Sequence, residues 1–403
     1  MAFDGQAYND PGTTASDIGS QIRVDHFIKK ALIEARREQY FGQLADVTSM
    51  PKHMGKTIKK YHYVPLLDDG NISKQGLGTD GVAYDQANGG ILYGSSKDPG
   101  VIAAKMPTLS ENGGRVNRVG FTRLEVEGTI QKYGFFDEYT QESIDFDTDD
   151  ELRMHINREM INGAMEITED LLQIDLLSRA GTVKYAGGAS SKVTVDSTPL
   201  AYGDFLRLSI DLDNNRTPKQ TKMITGTRMI DTKTISGGRV LYVGTELIPT
   251  LEAMKDLHDN PAYIPVHQYA AGGTVLTGEQ GSIGDFRIVV VPEMMNFPGA
   301  GSSVAADNAD AATIARAANK FATGGDFDVF PMLCVGDGSF TTVGFQTDGK
   351  TVKFNIKHAA PGSTESYAND PYGETGFMSI KFYYGILVQR PERLAVIFTA
   401  ADM

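Results

Sequence analysis

The residues best able to do chemistry are few, and their spacing does not support it. The run MPKHMGKT, residues 50–57, ends like a phosphate-cradling loop, in which glycine amides wrap a phosphate and a lysine reaches it. Its first glycine position is Met50 and no apolar strand leads into it, so nothing would aim those amides. DLDNN at 211–215 and DFDTDD at 145–150 imitate the opening of a calcium loop, which needs a glycine at its sixth position and a carboxylate at its twelfth. The sixth position holds Arg216 or Asp150, and the twelfth holds Lys222 or Ile156. Both calcium readings fail.

The histidines at 26, 53, 62, 155, 258, 267 and 358 form no pair at i, i+3 or i, i+4 and no HExxH, so local zinc ligation has no support. There is no G-x-S-x-G elbow that would present a nucleophilic serine. Cys334 is the one cysteine; it sits in the apolar run VFPMLCVG and reads as a buried, inert thiol. No disulfide can form within one chain. The expectation is therefore no enzyme, no catalytic residue, no metal and no cofactor, with only residues gathered by folding outside such a scan.

The elements that would have to position any such site follow a different logic. Residues 1–22 are small, polar and glycine-rich, and predict an arm that a partner must order. From Val24 to about Gln43, a turn of ~100° per residue gathers Val24, Phe27, Ile28, Ala31, Leu32 and Ala35 on one arc. Lys29, Lys30, Arg36 and Arg37 fall on the opposite arc. That basic face is either solvated, with Glu34 and Glu38 at its edge, or a contact to phosphate, lipid headgroups or an acidic neighbour.

KTIKKYHYVPL (56–66) predicts a short strand ended by Pro65. FTRLEVEGTIQKYGFF (121–136) alternates in strand period. The two bracket about fifty polar residues, 67–118, a length that is functional or wrong for a loop inside a compact domain, and so predict a long projecting hairpin.

Thr148–Ala180 predicts a long helix, with apolar residues at 152, 156, 160, 167, 171 and 174 and a flank at 154, 161, 165, 172 and 176. At ~1.5 Å per residue it spans roughly 50 Å, a spine rather than a domain-sized helix. Shorter helices are expected over Ala201–Asn214 and Thr245–Leu257. Strands are expected at 239–243, 285–294 and in VFPMLCVG, FTTVGF and KFNIKH. The closing GFMSIKFYYGILVQR puts Met378, Ile380, Phe382, Tyr384, Ile386 and Val388 on one face of a strand. The class is α+β, with an inserted surface segment at 297–326.

Composition bounds the class. With 403 residues, 41% hydrophobic and 22% charged, the chain can bury a core in more than one lobe. A net charge of −13 argues against a surface that grips nucleic acid throughout. Residues 23–60 are a local exception, with nine Lys/Arg against four Asp/Glu. No basic-then-apolar leader and no run of 18 apolar residues occurs, which predicts a soluble, cytoplasmically made protein without a membrane partner.

The order of arm, helix, long two-stranded projection, spine helix, α/β lobe and returning strand resembles the HK97-like fold of tailed-phage capsid proteins. EQGSIGDFRIVVVPEM (279–294), RVLYVGTELIPTLEAM (239–254) and IKFYYGILVQRPERLAVIF (380–398) are similar to the coat proteins of N4-like podophages. The resemblance implies an N-terminal arm at 1–22 and a helix and strand at 23–66. It makes 67–118 an extension loop lying across a neighbour, and 119–200 a peripheral domain with its spine helix at 148–180. The axial domain would be 201–375, and strands 376–403 would return to the peripheral sheet.

It further implies a homo-oligomer of capsomers in an icosahedral virion shell assembled in the host cytoplasm. A portal protein, a separate scaffolding protein, an optional decoration protein and packaged double-stranded DNA would be its partners, with Lys29, Lys30, Arg36 and Arg37 facing DNA or scaffold. Two rivals remain: an encapsulin-like nanocompartment shell, which resembles the same fold but encloses proteins, and a β-rich surface or adhesion protein, which would need an export signal.

Overall fold

The computed structural model describes residues 40–44, 46–64, 66, 120–146, 152–224, 232–269, 275–304, 320–345, 354–363 and 372–402. The first elements are β1 (Asp46–Met50), β2 (Thr57–Val64), β3 (Thr122–Thr140), a short helix α1 (Gln141–Asp145), the long helix α2 (Leu152–Ser178) and β4 (Thr182–Tyr185). There follow α3 (Tyr202–Asn214), β5 (Gln220–Ile224), β6 (Thr232–Ser236), β7 (Arg239–Gly244), α4 (Ile248–Glu252), β8 (Tyr263–Pro265), β9 (Glu279–Ile283) and β10 (Phe286–Val291). The last are β11 (Ala322–Thr323), β12 (Asp326–Phe327), β13 (Phe330–Val335), β14 (Phe340–Phe345), β15 (Asn355–Ala359), β16 (Thr375–Val388) and β17 (Leu394–Thr399).

Two sheets carry the architecture. One runs β1-β14-β16-β3-β2, with β15 also on β16; the other runs β4-β17-β13-β7-β10-β9-β8. In the second, β7, β13 and β17 are buried at every residue, as expected of strands covered on both faces. Their side chains alternate between two cores. Leu241, Val243, Met332, Cys334, Ala395 and Ile397 pack with Phe205, Leu208 and Leu212 of α3 and Leu251 of α4. Val240, Tyr242, Leu333, Val335, Val396 and Phe398 join the cluster of α2, through Met160, Ala164, Leu172 and Leu176.

That cluster also takes in Met378, Ile380, Phe382, Tyr384, Ile386 and Val388. The long helix thus shares one core with a face of each sheet, and the period-two face read from the sequence of β16 is the face it packs on.

Three expectations need correction. The helix expected over Thr245–Leu257 is one 3-10 turn, Thr245–Leu247, followed by α4. It stops because the Asp256 carboxylate accepts the amides of His258 and Asn260 at 2.7 and 2.9 Å, a local turn that competes with the helix and places Asp259 at φ 61°.

The stripe of the long helix is rotated from the one expected. Ile167 and Ile174 are exposed at 38% and 50%, while Ala164, Leu172 and Leu176 are buried. The buried arc includes Thr168, Glu169 and Gln173, polar residues that a hydrophobic count assigns to solvent. Each has a partner: Thr168 donates to the Ala164 carbonyl at 2.8 Å, and Gln173 donates to the Met294 sulfur at 2.9 Å; those of Glu169 are given below.

Finally, strands 376–403 do not return to one sheet. β16 lies in the sheet with β3, whereas β17 sits between β4 and β13 in the other. LAVIFT is apolar on both faces, and only the sheet with α2 on one side and α3 and α4 on the other can cover both. The same crossing puts β14 and β15, from the stretch 201–375, beside β16.

Candidate assembly surfaces

Two described segments border the stretches 1–39 and 67–119, and each is firmly built. The first is Tyr40–Leu44. Phe41 is buried with its ring 4.7 Å from that of Tyr242. The backbone N–H groups of Phe41 and Gly42 donate to the Glu169 carboxylate at 3.2 and 3.3 Å. The Tyr242 hydroxyl donates to the Tyr40 carbonyl at 2.9 Å, and burial raises the pKa of that phenol well above its ordinary value. β1 follows and pairs in parallel with β14. A buried carboxylate that accepts two amides fixes Phe41 and Gly42 against the long helix.

The second root is the hairpin of β2 and β3, antiparallel from Thr57 opposite Thr129 to Val64 opposite Thr122. Lys59 pairs with Glu125 and Glu127 across the strands, and these partners raise its pKa. The Arg123 guanidinium lies 4.2 Å over the Tyr61 ring, and Tyr63 meets Phe121 edge-on at 5.9 Å. Tyr63 and Phe121 remain 59% and 70% exposed. Aromatic area left in water on this edge hairpin is a surface awaiting a cover.

Beside this hairpin lies a pocket of about 280 Å³ lined by His62, Glu125, Arg179, Gln389 and Pro391 among others. Lys60 donates to the Gln389 side chain at 2.6 Å. Among the described residues the Nε2 of His62 is buried without a hydrogen-bond partner, and burial, then Arg390, lowers its pKa. With His62 disfavoured as a cation and Glu125 and Glu127 committed to Lys59, no acid–base pair is poised there.

Elsewhere, burial pushes the Cys334 thiol up to about 12, which leaves it protonated and inert. Among the described residues no group of three or more His, Cys, Asp or Glu could hold a metal, and no helix is long and apolar enough to cross a membrane.

Lys29, Lys30, Arg36 and Arg37 lie outside the described residues, as do the arm 1–22, the loop 67–118 and residues 305–319 of the 297–326 segment. Sequence reasoning missed Glu169. Its signal was present: it falls on the arc of 165, 172 and 176, where a carboxylate inside an apolar arc marks a buried acceptor.

Residues 123–397 match the family described as phage capsid protein. The chain is 57% identical over 399 residues to the major capsid protein of Pseudomonas phage KPP21, covering 98% of this chain and 97% of that protein. Among solved structures it is similar to the capsid of Ralstonia phage GP4, with a TM-score of 0.58 at 12% identity over 97% of this chain and 99% of that one. It is also similar to the capsid of cyanophage Pam1, with a TM-score of 0.51 at 11% identity over 96% and 98%. At such identities the structures speak to fold alone, and that fold is the HK97-like α+β fold of tailed-phage capsids. Sequence match and architecture converge, and the chain belongs to the phage capsid protein family.

Proposed function

We propose that copies of this chain assemble into the pentamers and hexamers of an icosahedral phage head that encloses double-stranded DNA, with no catalytic role. The observation that carries this is the end-to-end match to a major capsid protein, and the two anchored roots fit it. An arm and a projecting ribbon bury little alone but add intersubunit area, their ordering cost being met on assembly. One chain must meet slightly different neighbours at five-fold and six-fold positions, and arms pivoting on fixed roots supply that tolerance.

In this reading residues 67–118 cross a neighbour, and the sheet of β16 with the long helix is the peripheral part. Lys29, Lys30, Arg36 and Arg37 face DNA or a separate scaffolding protein. A portal protein completes the head, a decoration protein is an optional addition, and assembly takes place in the host cytoplasm. A short-tailed particle of the N4-like group is the expected home.

The test is negative-stain electron microscopy of the purified chain after sizing, made with and without its genomic neighbours. Closed shells or rings of five and six, with DNA in heads from infected cells, support the reading. Shells that hold only protein favour a nanocompartment, and a persistent monomer under both conditions removes the capsid reading.

A further inference from the structure

The face of β16 that looks away from the long helix carries a lysine diagonal. The even-numbered residues Met378–Val388 pack on the helix side, so the odd-numbered ones face outward. Lys381 lies opposite Gly134 on β3 and Asn355 on β15. Lys132 is opposite Tyr383, and Lys357 is opposite Ser379, whose other partner is Phe136. Each lysine is thus a diagonal neighbour of the next, roughly 8 Å apart across three strands.

All three are exposed, and none has an ion pair among the described residues. Aromatic groups lie between and beside them: Phe136, 61% exposed, Phe377 and Tyr383, the last packed 5.1 Å from Phe345. Glu138 is the acidic residue on these rows. In a chain of net charge −13, three exposed lysines around an exposed phenylalanine form a surface made for an acidic partner that also brings apolar groups.

We propose that this face, Lys132, Lys381 and Lys357 around Phe136, binds the acidic residues 1–22 of a second copy of the chain. Those residues contain Asp4, Asp10 and Asp17 and no Lys or Arg, with Phe3, Tyr8 and Ile18 within two positions of the aspartates. Residues 67–118 are a poorer complement, since their six acidic residues are offset by five basic ones. Duplex DNA would satisfy the lysines and leave Phe136 uncovered, because a phosphate backbone offers no apolar area.

The arm's own root argues for a neighbour. Phe41 is fixed in the helix-side core, on the opposite side of the β16 sheet from the lysines. The helix expected over residues 24–43 would set residues 1–22 roughly 25 Å from this root, a separation that favours an adjacent copy over the chain's own sheet face.

The inference rests on the capsid reading, and one experiment separates the two. Lys132→Glu, Lys357→Glu and Lys381→Glu are combined in the full chain, and shell yield is measured by sizing and electron microscopy beside the unmodified chain. The expected result is a roughly ten-fold or greater loss of shells, from like charges set against each other. Adding Asp4→Lys, Asp10→Lys and Asp17→Lys should restore them, which a folding defect would not allow.

Loss of shells without rescue overturns the arm as occupant. Normal yield of the lysine variant overturns the docking face, and normal yield with less packaged DNA assigns the face to DNA instead. No shells from the unmodified chain would remove the capsid reading itself. Phe136→Cys with Phe3→Cys, oxidised in assembled shells, should give covalent multimers on non-reducing gels, since Cys334 is fully buried. Cross-linking confined to monomers overturns a second copy as the source.

Discussion

The Glu169 carboxylate, in the middle of the long helix, accepts the backbone N–H of Phe41 at 3.2 Å across 128 positions of sequence. It is the point at which the N-terminal segment is tied to the body. Glu169→Ala leaves the buried Phe41 amide unpaired, at a cost of ~1–3 kcal/mol, and frees the partly buried Gly42 amide as well. The expected outcome is a lower urea midpoint and faster protease cleavage around residues 40–44, with the two sheets intact by circular dichroism. Unchanged cleavage would mean that Phe41 and Tyr242 hold the segment alone.

Glu392 gives a pH dependence of definite sign. It is 1% exposed, in the turn that joins β16 to β17, and neither carboxylate oxygen has a well-formed hydrogen bond. Burial raises its pKa, against the opposing pull of its own amide, Arg390 and Arg393. A raised folded pKa means the neutral form is favoured on folding. Its stabilising contribution is therefore complete below the unfolded carboxyl pKa, and is lost as pH rises through the folded value. Melting temperatures across pH 4 to 8 should fall less steeply for Glu392→Gln than for the parent chain, with the variant the more stable at neutral pH. Parallel curves would show that the carboxylate finds a partner.

Gly134 faces the β16 backbone so closely that an added Cβ would lie 2.7 Å from the Ile380 carbonyl oxygen. Gly134→Ala must push β3 from β16 and should destabilise by ~1–3 kcal/mol, the usual range for overpacking. Gly203 in α3 has nothing within 4 Å of such a Cβ. Gly203→Ala should stabilise by about 0.4–1 kcal/mol through the unfolded chain. Denaturant melts of the pair test both signs at once.

Arg239 is fully buried and donates to the Thr217 carbonyl at 2.8 Å while pairing with Asp213. Arg239→Ala removes the side chain that holds α3 to the start of β7 and should cost ~2–5 kcal/mol, the range for truncating a large buried side chain, since the half-exposed Asp213 keeps Lys219 as a partner. Arg239→Met, which keeps the volume, should recover part of that loss in a urea titration.

What the sequence made legible follows from which forces act locally. The alternation of β16, the pairing of 56–66 with 121–136 and the long helix are all written in periodicity, because a strand or helix face must be apolar where it packs. The rotated stripe of α2 and the split of β16 from β17 were not. Both depend on a second sheet closing over the helix, which turns Glu169 and Gln173 inward and calls for a strand buried on both faces. The lysine diagonal was hidden for a similar reason: Lys132, Lys357 and Lys381 are separated by up to about 250 positions, and only strand register makes them neighbours.

Because β17 fills the gap between β4 and β13, the body that displays the arm and ribbon cannot close until residues 394–399 have left the ribosome. A chain interrupted before Leu394 exposes the inner edges of its neighbours and cannot present a finished building block. The sheet itself thus screens the material of the shell, since only polypeptides that contain residues 394–399 acquire the closed core that a lattice of identical copies would accept.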